Sequence, residues 1–153
     1  MSAVPDTAAQ DRLVRLAGAG MAATFALVGA IFLAIPDQVL AAFNFLARGL
    51  GWPQSPTEAH TLFLALAVGY MYLVTVLAVQ VARNPREHAW PWLLAQAKGV
   101  SALLSLALFL AGGWYVICLA NFLVDGSLAV GVWWLCLHSR AAPARPALSE
   151  DRP

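Results

Sequence analysis

Residues 92–138 read WLLAQAKGVSALLSLALFLAGGWYVICLANFLVDGSLAVGVWWLCLH, two hydrophobic runs joined at Gly112-Gly113, with Lys98 inside the first and Asp125 inside the second. These are the only charges deep within the chain's apolar segments. A charge at bilayer depth costs at least about 2.5–3.5 kcal/mol on insertion scales, so such residues face protein or trapped water rather than lipid. The stretch therefore predicts two membrane helices that share a polar inner face.

Helical spacing fills in that face. In a helix from about Pro91 to Ala111, the residues Ala95, Lys98, Ser101, Ala102, Ser105 and Gly112 form a small and polar stripe opposite a leucine-rich surface. In the next helix, from about Trp114 to Leu137, Trp114, Cys118, Asn121, Asp125 and Cys136 fall on one side. Asn121 and Asp125 are one turn apart, which puts an amide within reach of the carboxylate. Straight helices would place Lys98 about 10 Å and Asp125 about 18 Å above the same membrane face. Side chains also lean toward the N-terminus of their own helix, which points this lysine and this aspartate apart. Snorkelling of Lys98 to the interface is the expected outcome, and a direct or water-bridged pair is the alternative. The expected intramembrane polar cluster comprises Tyr72, Ser105, Asn121 and Asp125, as glue between helices or as a protonatable site on a solute path; Lys98 is a further candidate member, and the counter-charge to Asp125 in the second case.

Working outward, the composition fits lipid as the solvent. Hydrophobic residues make up 61% of the chain and charged residues 11%, with a mean hydropathy of +0.71. Soluble domains carry about a quarter charged residues. A formal net charge of +1 and scattered arginines exclude a basic nucleic-acid surface. Cys118 and Cys136 would lie about 27 Å apart on one helix, too far to bridge, and are read as packing residues.

Upstream, Met1 to Gln10 lacks periodicity and reads as a flexible tail. A first spanning helix is expected from about Leu13 to Ile35, longer than the apolar core of a cleaved leader. Gly18, Ala22, Ala26 and Ala30 recur every four residues as a ridge on which another helix can pack closely. Pro36-Asp37 ends that helix. The segment Gln38 to Leu50 is too short to span and reads as an interfacial helix, with Phe43, Phe45 and Trp52 at headgroup level and Asn44 and Arg48 toward water. Ser55-Pro56-Thr57-Glu58 has the form of a capping box with proline at the first helical position, opening a second span that ends at Asn84-Pro85. Gly69, Tyr72 and Thr75 share one of its faces. After His138 the chain is rich in alanine, proline and charge, and residues 139–153 read as a second flexible tail. The organisation expected is an all-α bundle: tail 1–10, a four-span domain 11–138 with a short interfacial helix between the first two spans, and tail 139–153.

Charge asymmetry sets the expected orientation. Arg12, Arg15, Arg83, Arg86, Arg140, Arg145 and Arg152 fall on one side of a four-span arrangement and Arg48 on the other, so both termini are expected in the cytoplasm of a multi-pass cell-membrane protein. No catalytic residue, cofactor site or metal site is expected, because zinc spacing, a phosphate-binding glycine loop, a nucleophile elbow and a mid-membrane histidine pair for haem are all missing.

Arg15-Leu16-Ala17-Gly18 opening the first helix, the Ile35-Pro36 stop, and Phe63-Leu64-Ala65-Leu66-Ala67-Val68-Gly69 in the second resemble the DoxX-like group of small four-helix bacterial inner-membrane proteins. The resemblance covers roughly the first half and implies the architecture. That group includes a quinone-linked oxidoreductase subunit, but no catalytic motif carries over. The leading functional expectation is a non-catalytic membrane component that packs with a partner protein or with itself through its small-residue seams. The alternatives are a small solute carrier or proton-coupled channel using Asp125, and a quinone-contacting subunit.

Overall fold

The computed structural model describes residues 7–56, 60–112 and 114–139, and every regular element among them is a helix. In chain order these are α1 (Thr7–Ala34), α2 (Pro36–Gly49), α3 (His60–Arg83), α4 (Ala89–Gly112) and α5 (Val116–Ser139). All except α2 are long and apolar enough to cross a membrane, so the chain is a multi-pass integral membrane protein. Its helix boundaries follow local chemistry. Proline at the first position of α2 supplies a preset backbone angle where no amide hydrogen is needed, and Asn84-Pro85 stops α3 after Arg83. Helix α1 starts at Thr7, earlier than the apolar pattern suggested, because the polar turn around Gln10 and Asp11 continues the coil. The expected capping box falls largely outside the described residues, at Thr57 and Glu58, as does the tail from Arg140 onward.

Two antiparallel pairs make up the bundle. Helix α1 lies on α3, α4 lies on α5, and a short turn joins α3 to α4. In the first pair a Cβ added at Gly18 would sit 2.7 Å from the backbone nitrogen of Ala82, so only glycine permits this approach. Val14, Ala22, Phe25, Val74, Ala78 and Val81 fill the seam above and below it. The ridge is therefore used within the chain, and only in part. Gly18 and Ala22 are buried, whereas Ala26 and Ala30 are exposed and the seam continues through Phe25 and Gly29 instead. Four-residue spacing overshoots a 3.6-residue turn by about 40° per step, so by Ala30 the alanine row has rotated out of the contact.

Helix α2 crosses one end of the bundle and touches α1 and α5. Asn44, expected toward water, is buried. Its amide nitrogen donates to the Ser55 carbonyl at 3.1 Å and its Oδ1 accepts from the Ser55 amide at 2.7 Å, pinning the return loop to α2. Trp52 at the end of that loop packs on Phe109 and Trp114, with ring centroids 5.7 and 6.3 Å away. Trp114 has φ 58, a left-handed value that costs a bulky residue energy and that this ring cluster holds in place. At the opposite end the arginine-rich helix termini collect, and Arg86 bonds Asp11 at 2.9 Å across α1 and the α3–α4 turn.

Candidate functional site: a buried ion pair on an intramembrane cavity

Small residues bring α4 and α5 close enough for their polar faces to meet. A Cβ on Gly126 would lie 3.8 Å from that of Ala102, and one on Gly99 would lie 4.0 Å from that of Ala129. This register sets Lys98 about 7–8 Å along the helix axis from the level of Asp125. The lysine stem, four methylenes long, covers most of that gap. Lys98 Nζ donates to Asp125 Oδ1 at 2.9 Å, with the two side chains only 3% and 4% exposed. The expected snorkelling of Lys98 is thus corrected to a direct pair. The Cβ leanings are opposed, but the long flexible side chain turns along the seam, where a buried carboxylate offers more than a distant interface.

The rest of the ammonium is enclosed by aromatic faces. Its nitrogen stands 4.4 Å from the ring centre of Phe25 on α1 and 5.1 Å from that of Tyr70 on α3. Desolvated cation–π contacts of this kind are worth about 2 kcal/mol. One lysine head group thereby touches all four spanning helices. Tyr70 also donates its hydroxyl to the Ala97 carbonyl at 3.0 Å, tying α3 to α4 next to the pair.

One turn away, Asn121 donates through Nδ2 to Ser105 Oγ at 2.7 Å and to Ser101 Oγ at 3.2 Å. Lys98, Ser105, Asn121 and Asp125 line one cavity in two bonded groups, and the Asn121 amide expected beside the Asp125 carboxylate goes to the serines instead. Tyr72 joins neither group. It is 73% exposed on the outside of α3, and Tyr70 occupies the place assigned to it. Two positions differ by about 200° around a helix, and the face chosen through Gly69 and Thr75 was the wrong one. The usable signal was the stripe Tyr70, Val74, Leu77 and Val81, at the spacing of a buried face. Phe25 was missed in the same way, hidden among the alanines of α1.

The pair and the asparagine line a cavity of about 450 Å³ between the two helix pairs. Phe25, Val28 and Phe32 of α1 face Ile117, Cys118 and Val124 of α5 across it. Helices α1 and α5 bound this space without packing extensively on each other. The volume is in the range of small-molecule pockets, which are mostly apolar with a few convergent polar groups. Among the lining residues, Asp125 keeps its Oδ2 buried, and that oxygen accepts no hydrogen bond from any described residue. No family model, no curated relative and no solved structure matches this chain. Its chemistry therefore has to be argued from the site. The site thus combines an ion pair flanked by two aromatic rings with a hydroxyl–amide cluster and a buried acceptor, on a largely apolar cavity.

Proposed function

We propose that the protein is a carrier of a small solute, bound in the cavity at the Lys98–Asp125 pair. The observation that supports this reading is the unpartnered, buried Oδ2 of Asp125 on a cavity of about 450 Å³. Buried polar atoms nearly always have partners, and an orphan on a residue that lines a cavity is accounted for by a ligand that reaches it as the side chains adjust. A purely architectural role would favour a closed seam, such as the one between α1 and α3. The leading expectation of a scaffold drew on the lack of cofactor motifs and on the alanine ridge, of which Gly18 and Ala22 are already occupied by α3. In the cell we place the arginine-rich end, with both termini, in the cytoplasm of a bacterial inner membrane. The DoxX-like resemblance fits that placement.

Native mass spectrometry of protein extracted from its own membrane tests the reading. The wild type is expected to retain a non-lipid small molecule that is lost when Cys118→Trp fills the cavity. If the wild type retains no small molecule and instead holds a stoichiometric partner protein, the scaffold alternative replaces this one.

A further inference from the structure

We infer that the ligand is an uncharged molecule with an apolar body and one hydrogen-bond donor, such as an alcohol or a phenol, and that it arrives from the lipid between α1 and α5. The inference rests on the binding role proposed for the cavity and adds the ligand's chemical class and its route.

The polar centre sets the class. Lys98 and Asp125 cancel each other's charge, so an ion gains little net attraction there. The ammonium is already taken up by Oδ1 and by the rings of Phe25 and Tyr70. The open valence is that of Oδ2, an acceptor, and it calls for a donor. The hydroxyl of Thr24 does not supply one, because it donates to the Gly20 carbonyl at 2.9 Å within its own helix. Around this point the walls are apolar, with Val28, Phe32, Ile117 and Val124 available to an aliphatic or aromatic body.

The helix arrangement sets the route. Trp52, Phe109 and Trp114 pack together at the α2 end, and α2 itself bridges α1 to α5 there. Halfway along, α1 and α5 do not pack extensively on each other, and the cavity-lining residues Thr24 and Val124 are exposed. That part of the surface faces hydrocarbon when the four helices span a bilayer. A charged solute would meet the insertion cost of an ion on this path, whereas an uncharged one partitions into lipid first.

A matched pair of photoprobes, a phenol carrying a trifluoromethyl diazirine and its methyl ether, tests the inference on the full chain in liposomes. The phenol is expected to label Val28, Cys118 or Val124 at least about tenfold more than the ether, the ratio for a hydrogen bond to a charged acceptor. In Asp125→Asn the Lys98 ammonium holds the amide oxygen and turns the amide nitrogen to the cavity, so the preference should pass to the ether. That reversal is not expected from a residue with a merely structural role. Equal labelling by both probes in the wild type overturns the donor class and leaves the binding role standing, whereas labelling by neither overturns both. A membrane-impermeant charged thiol reagent should leave Cys118 unmodified from either face, and rapid modification would overturn the lipid route.

Discussion

The α1–α3 and α4–α5 pairs use the same device for different ends. Each brings two helices together through glycine set against alanine, Gly18 on Ala82 in the first and Gly126 on Ala102 in the second. In the first pair the contact reaches backbone and the seam is closed by Val14, Phe25, Val74 and Val81, with no charged residue of α1 or α3 buried among the described residues. In the second the contact is an ordinary side-chain one, and the seam carries Lys98, Asp125, Asn121 and two serines. Lipid offers no hydrophobic drive for helices to associate, so close approach and polar bonding are what remain. The apolar pair depends on approach. The polar pair uses approach to bring its charges into contact, and these in turn hold the first pair through Phe25 and Tyr70.

The largest expected effect comes from unbalancing the polar pair. Lys98→Met leaves a buried carboxylate without its counter-ion and should cost about 3–5 kcal/mol, read as the unfolding free energy in detergent–SDS mixtures. The double variant Lys98→Met with Asp125→Leu removes both charges and should recover most of that loss. A double variant no better than the single one would mean that the two residues act separately. Next in size is the apolar seam. Gly18→Ala pushes a methyl against the α3 backbone and should cost about 1–3 kcal/mol, as overpacking does. The same change at Gly126, where the nearest atom is 3.8 Å away, should cost under about 1 kcal/mol. Equal costs at the two glycines would remove the distinction between the seams.

Much of this fold was legible in the sequence, for physical reasons. Lipid requires each span to satisfy its own backbone, so length and apolarity alone located α1, α3, α4 and α5, and Pro36 and Pro85 marked two of the breaks. Periodicity put Lys98 and Ser105 on one face of α4 and Asn121 and Asp125 on one face of α5, which is the part of the site that the sequence carries. What periodicity on one helix does not give is the rotation and shift between helices. The expectation at Tyr72 fails because α3 is apolar all round and offers no polar face to orient it, and Tyr70 carries no signal of its own in the sequence beyond the stripe it shares with Val74, Leu77 and Val81. Lys98 was read as snorkelling because the Cβ directions were legible, while the closeness allowed by Gly99 and Gly126 was not. Asn44 was placed in water by the amphipathic pattern of α2, since its partner is backbone at Ser55, which no side-chain pattern reveals.

The whole site turns on a lysine and an aspartate that pair directly between membrane-spanning helices. Dipolar recoupling by solid-state NMR in liposomes, with Lys98 labelled at Nζ and Asp125 at its carboxyl carbon, tests this most directly. A direct pair gives a resolvable nitrogen–carbon coupling, as required by the 2.9 Å contact between Nζ and Oδ1. Absence of that coupling, together with a cross-peak from Lys98 Nζ to lipid phosphate, would contradict it.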